Sequence, residues 1–240
     1  GNVLTEDSIV SQQGFFDSNT GTVRWEPGNV SSFEQVLPGE SRTLQFDVDP
    51  GSPRPTGSFE LDVNVYARRV AEESAEETLI GTDRIEVKYS STIELGSQAG
   101  LIEGSQPPRV GETTVYELTL VAEAGVNDLS NAIVEADLPL YVEWLDEYAG
   151  PGELIFNPNA RSIEWDIGNI DSGDRSQLSF QVAIQPSVSQ VGETPVLVTR
   201  QNLRANDRFT GALLQDSTPA VTTELSSEFG FERDNGMIER

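Results

Sequence analysis

Two layers of antiparallel β-strands, repeated in tandem, form the architecture that this sequence predicts on three observations. Apolar and polar residues alternate in short runs, Gly/Pro turns separate the runs, and one segment is written twice. Strict alternation marks a strand with one face in a core and the other in water. Tyr116, Leu118 and Leu120 alternate with Glu117 and Thr119; Leu178, Phe180, Val182 and Ile184 with Ser179, Gln181 and Ala183; Ile85, Val87 and Tyr89 with Glu86 and Lys88. Turn signals separate the runs at Pro27-Gly28-Asn29, Leu37-Pro38-Gly39, Gly150-Pro151-Gly152, Asn157-Pro158-Asn159 and Asp171-Ser172-Gly173-Asp174. Short strands at this spacing argue for an all-β fold of tandem immunoglobulin-like antiparallel β-sandwiches. Residues 70–79 contain good helix formers but no apolar stripe, and read as an acidic loop.

The repeat sets the domain organisation. Residues 39–48 match residues 173–182 with Leu44 and Phe46 in the register of Leu178 and Phe180; Thr22-Val23-Arg24-Trp25 matches Ser162-Ile163-Glu164-Trp165, and Phe16 matches Phe156. The second copy has a front half, from Ile93 through strands near 114–122 and 132–138, that the first lacks, since Gly1 falls opposite roughly Tyr141. The expectation is a partial sandwich over residues 1–90, a complete one over 91–225, and a tail or the start of a further strand over 226–240. A partial sandwich exposes apolar strand faces and an open edge. Upstream chain or a strand donated by another subunit would close it.

The 240 residues hold 40 Asp plus Glu against 15 Lys plus Arg, for a formal net charge of −25. Nucleic-acid binding needs clustered cations to neutralise phosphate, so nucleic acid is not expected as a partner. An anionic membrane surface is disfavoured for the same reason, leaving membrane attachment to an anchor outside these residues. The surface also suits concentrated salt, where screening relieves self-repulsion. With neither cysteine nor histidine, the chain forms no disulfide, no thiolate or Ser-His-Asp nucleophile and no histidine-bearing zinc site. Lys88 is the only lysine, so an isopeptide cross-link is excluded from the second domain.

Carboxylate chemistry remains. Asp171-Ser172-Gly173 has the form of an aspartic-protease signature, but the other copy has Leu37-Pro38-Gly39 there, so the partner carboxylate is missing and the segment reads as a turn. No cofactor is expected except calcium, which takes clustered oxygen ligands; Asp166, Asn169, Asp171 and Asp174 form the candidate site, without EF-hand spacing. Trp25 and Trp165 recur at matching positions and read as core. Trp144 has no counterpart and lies near Tyr141 and Tyr148, so these three are the candidate surface contact.

Several motifs in order carry a family resemblance. Val110-Gly111-Glu112-Thr113-Thr114-Val115-Tyr116, Asp137-Leu138-Pro139, Ile163-Glu164-Trp165-Asp166-Ile167-Gly168 and Leu178-Ser179-Phe180-Gln181-Val182 resemble the bacterial and archaeal surface repeat known as domain of unknown function eleven. The stretches Pro195-Val196-Leu197-Val198, Phe209-Thr210-Gly211 and Pro219-Ala220-Val221 are similar to membrane-anchored surface proteins of small-genome uncultivated bacteria. The resemblance implies an exported, extracellular, immunoglobulin-like repeat without assigned catalytic residues. The expected function is thus a non-catalytic structural or adhesive cell-surface module whose partners are a surface protein or glycan, or copies of itself. The alternatives are a polymer or surface-layer subunit completed by strand donation, and a carbohydrate-binding or carbohydrate-active module using carboxylates.

Overall fold

The computed structural model describes residues 9–10, 13–48, 57–69, 76–225 and 235–240. The chain divides into two compact units, Gly1–Tyr89 and Ser90–Arg240. It is all-β and antiparallel, with immunoglobulin-like sandwich construction. Part of the acidic loop expected over residues 70–79, residues 70–75, lies outside the described residues, and a strand already begins at Thr78.

In the first unit β1 (Ile9–Val10), β2 (Phe15–Asp17), β3 (Thr22–Arg24), β4 (Asp47–Val48), β5 (Ser58–Ala67) and β6 (Thr78–Lys88) form three two-stranded ladders: β1 with β4, β2 with β3, and β5 with β6. The β2–β3 turn closes on Asp17, whose carboxylate accepts the Asn19 amide at 2.9 Å and the Thr20 hydroxyl at 3.0 Å. Gly21 takes the left-handed conformation at the end of that turn.

The second unit contains β7 (Ile93–Glu103), β8 (Thr114–Ala124), β9 (Leu129–Asp137), β10 (Val142–Ala149), β11 (Glu153–Asn157), β12 (Ser162–Ile170), β13 (Arg175–Ile184), β14 (Val196–Val198), β15 (Gln201–Asp207), β16 (Leu213–Thr218) and β17 (Val221–Thr222). One sheet runs β10-β13-β8-β7 and the other β11-β12-β9-β15-β16, with β14 and β17 paired beside them. These are the two spatial orders of a variable-type immunoglobulin sandwich. The route differs, because the chain reaches β10 before the β11–β12 hairpin rather than after it.

Alternation decides which side chains meet. Tyr116, Leu118 and Leu120 of β8 and Leu178, Phe180 and Val182 of β13 point inward from the first sheet, toward Val134, Trp165 and Leu203 of the second, all buried. Trp165 is 0% exposed, and its indole Nε1 donates to the Pro151 carbonyl at 2.8 Å in the β10–β11 turn. Gly152 is obligatory there, since a Cβ would lie 2.2 Å from the Asp166 carbonyl oxygen. At the open side of the sandwich, Asp216 of edge strand β16 accepts the Leu95 amide of edge strand β7 at 2.8 Å, tying the two sheets together.

The Asp137-Leu138-Pro139 motif turns the chain from one sheet to the other. Arg161, held at φ 60°, donates from Nη2 to the carbonyls of Pro139 and Val142, and its guanidinium lies over the Phe156 ring. Gly21 occupies the matching position of the first unit at φ 65°, so the backbone is repeated while the gripping side chain is not.

Candidate functional site

The chemistry of the second unit gathers at its two ends. At one end the chain enters β7 beside Asp207, the last residue of β15, whose side chain is buried by the turns around it. Its Oδ2 accepts the Ser91 amide at 2.6 Å and Asn127 Nδ2 at 2.9 Å, and its Oδ1 accepts the amides of Phe209 and Thr210 at 2.8 and 3.0 Å. One carboxylate thus joins the start of β7, the β8–β9 loop and the β15–β16 turn. Burial pushes the Asp207 pKa up, but the hydrogen bonds outweigh it and hold the carboxyl below its ordinary value. Beside it, Asp128 Oδ1 accepts the Ser172 amide at 2.9 Å, and the Ser172 hydroxyl donates to the Val126 carbonyl at 2.8 Å.

At the opposite end a second relay ties down residues 235–240. The buried Tyr116 hydroxyl donates to Gln106 Oε1 at 3.3 Å, Gln106 Nε2 donates to the Thr223 carbonyl at 3.0 Å, and the Thr223 hydroxyl donates to the Gly236 carbonyl at 2.6 Å. Backbone bonds continue the attachment: Ile238 with Glu193 and Gly192, and Glu239 with Pro108 and Val110. Ile238 is buried. Of the segment 226–240, expected as a tail or the start of a further strand, residues 226–234 lie outside the described residues, and 235–240 are hydrogen-bonded to the sandwich.

Of the four oxygen ligands expected for calcium, Asp166 and Asn169 lie within β12 and Asp171 and Asp174 beyond its end. Asp166 sits opposite Glu153 and Ile133. A strand rises roughly 3.3 Å per residue, which carries Asp166 well away from the turn. Asp171 and Asp174 are joined through backbone, the Asp174 amide donating to the Asp171 carbonyl. Among the described residues no group of three or more carboxylates is placed to hold a metal ion. The Asp171-Ser172-Gly173 segment serves as a turn bonded to the β8–β9 loop, with the Gly173 amide donating to the Gly125 carbonyl.

The three aromatics are divided in role. The Tyr141 hydroxyl donates to the Val196 carbonyl at 3.0 Å and accepts the Val196 amide at 3.1 Å, which fastens β14 to the β9–β10 corner. Trp144 is half-buried and stacks on Phe156 with centroids 5.4 Å apart, packing also against Phe180. Tyr148, beyond an irregularity in β10, is left exposed.

Two open troughs lie on the outer face of the five-stranded sheet. One, of about 290 Å³, is lined by Glu135, Asp137, Ser162, Glu164, Arg200 and Asn202; another, of about 460 Å³, shares Glu135 and Asn202 and adds Arg204, Gln215 and Asp216. Glu135 stands directly opposite Glu164 on one side and Asn202 on the other, with Arg204 at 3.6 Å. No aromatic lines either trough, and Tyr141, Trp144 and Tyr148 belong to the region of the other sheet. Sequence reasoning missed Asp207: the signal was Asp207 heading the Asx-type turn Asp-Arg-Phe-Thr-Gly, but its partners Ser91 and Asn127 lie far away in the chain.

No family model matches the chain, and no curated protein matches it. Among solved structures it is similar to the full-length major pilin SpaD from Corynebacterium diphtheriae, at 14% identity and TM-score 0.41 over 79% of this chain and 64% of that one. It is also similar to the major pilin subunit of Bacillus cereus, at 9% identity and TM-score 0.38 over 67% of this chain and 48% of that one. A third is an exo-β-N-acetylglucosaminidase from Vibrio harveyi, at 10% identity and TM-score 0.32 over 59% of this chain and 19% of that one. Pilins and a hydrolase stand side by side at low TM-scores, so no function follows from these likenesses; the fold rests on strand order and register.

Proposed function

We infer that the chain is a non-catalytic structural or adhesive module of a cell surface, a spacer within a larger exported protein. The observation that carries this reading is the placement of the two attachments of the second unit. Ser91 is fixed at the Asp207 end, and Glu239 at the end formed by the β7–β8 loop. Strand β7, of 11 residues, spans the distance between them, roughly 33 Å at strand rise. A unit held at opposite ends of its long axis transmits tension through its strands. The resemblance to a surface repeat supports the same reading, as does the charge of −25, which keeps crowded copies apart.

Single-molecule pulling between Ser90 and Arg240 tests it. A spacer yields in one event that lengthens the chain by roughly 450–500 Å, the contour of the unit less its folded span. Peeling of either end at low force, before the sandwich yields, rejects the load-bearing reading. Antibody labelling of intact cells tests the location. Turnover of a polysaccharide that is lost on Glu135→Gln or Glu164→Gln would replace the spacer by the carbohydrate-active alternative.

A further inference from the structure

The repeat has a structural counterpart whose incompleteness is specific. In both units the same ladder recurs in the same register: Phe15, Phe16 and Asp17 pair with Arg24, Val23 and Thr22, as Ile155, Phe156 and Asn157 pair with Glu164, Ile163 and Ser162. β1–β4 matches β10–β13, since Val48 and Val182 are equivalent positions whose backbones pair with Ile9 and Trp144 respectively. β5–β6 follows the shared segment as β15–β16 follows it in the second unit. Apart from the short β14–β17 pair, the ladders without a counterpart among the described residues of the first unit are those involving β7, β8 or β9, which leaves one side of β3, β4 and β5 without a strand among those residues.

Burial records the same gap. Trp165, Leu178 and Phe180 are 0% exposed, whereas their equivalents Trp25, Leu44 and Phe46 are only partly buried. On β5 and β6, Val63, Val65 and Ile85, which share one face of the hairpin, are 39% to 49% exposed. In the second unit the matching hairpin hides Leu203 and Ala205 beneath the front strands. An apolar face and open edges of this kind are what sheet proteins cover.

We propose that the first unit is an acceptor for a three-stranded β segment with the pattern of β7–β9, contributed by polypeptide outside residues 1–240. This inference is independent of the spacer reading. Three edges and one apolar face call for the same three strands that residues 91–140 supply to the second unit. The inner-face side chains they would meet are the same or nearly so in the two units: Val23 for Ile163, Trp25 for Trp165, Leu44 for Leu178 and Phe46 for Phe180. Volume-conserving differences of that size are tolerated in cores, so the sister segment itself serves as the probe.

The test appends a second copy of residues 91–140 ahead of Gly1 in the full chain. The expected result is that β3 and β5 amides exchange at least about tenfold more slowly and that acrylamide quenching of Trp25 falls toward that of Trp165. A fusion whose appended copy carries Leu118→Glu and Leu120→Glu should give neither change, with the native second unit as the internal standard of folding. Unchanged exchange and quenching in the first fusion overturn the proposal. Protection that appears in the unfused chain as its concentration rises also overturns it, because a second copy is then the occupant.

Discussion

The Ser91 backbone amide donates a 2.6 Å hydrogen bond to Asp207 Oδ2 across 116 residues of chain. The bond binds the first residues of the second unit to the last residue of β15, and three further donors share the same carboxylate. Removing the carboxylate leaves buried donors without an acceptor, and each such donor costs about 1–3 kcal/mol. Asp207→Ala should therefore destabilise the second unit by about 3 kcal/mol or more, a fall in its calorimetric midpoint of roughly 6–12 °C for a domain of this size.

The same carboxylate makes a pH prediction. Its pKa is lower folded than unfolded, so its contribution is complete above the unfolded value of about 4 and disappears as pH falls through the folded value. Asp207→Asn, which cannot titrate, should narrow its stability gap to the parent chain as pH drops below about 4. Chemical denaturation of both proteins from neutral pH into acid measures the gap; a constant gap refutes the assignment.

Gly236 lies against the chain at Glu224, where a Cβ would come within 2.3 Å of the Glu224 Cα and 2.6 Å of the Thr223 carbonyl carbon. Backbone on that side cannot yield cheaply. Gly236→Ala should detach residues 235–240, seen as loss of exchange protection at Ile238 and Glu239 while β8 and β13 retain theirs. Thr223→Val, which removes the hydroxyl bond to the Gly236 carbonyl, should weaken the attachment in the same direction.

The paired tryptophans should separate in single mutants. Trp165→Ala removes a buried ring and its bond to Pro151 and should cost about 3–5 kcal/mol. Trp25→Ala, at the equivalent but half-covered position, should cost less than half of that. Urea titration monitored by circular dichroism compares the two.

Glu164 faces Glu135 across the β9–β12 ladder, a like-charge pair on an outer surface already rich in acid. Such a pair costs a few tenths to about 1 kcal/mol. Glu164→Gln should raise the midpoint of the second unit by about 1–2 °C at low ionic strength. The gain should shrink near 1 M salt, where the screening length is about 3 Å. Millimolar calcium should leave the midpoint where simple screening puts it, since Asp166, Asp171 and Asp174 are not gathered.

Alternation alone revealed the β-strands and most of the core of the second unit. Tyr116, Leu118, Leu120, Leu178, Phe180 and Val182 are buried as period-two patterning requires, because successive side chains on a strand must face opposite sides. The repeat likewise pointed to a shared ladder, and its register is the same in both units. Local spacing was a poor guide to sites. Asp166 and Asp171 are near neighbours in sequence, but the extended strand β12 carries Asp166 away from the turn, and Tyr141, Trp144 and Tyr148 are directed to three different surroundings by the corner and irregularity of β10.

The sequence by itself determined the all-β class, the positions of the turns, the inward faces of the strands and the exclusion of histidine and cysteine chemistry, because each follows from side-chain type or from a period of two residues. Tertiary structure alone decided the order of strands in the sheets, the joining of Ser91 to Asp207 and of Thr223 to Gly236, and the partial exposure of Trp25 where Trp165 is buried. These depend on pairings between residues far apart in the chain, where an identical local motif is buried or bare according to which strands come to lie beside it.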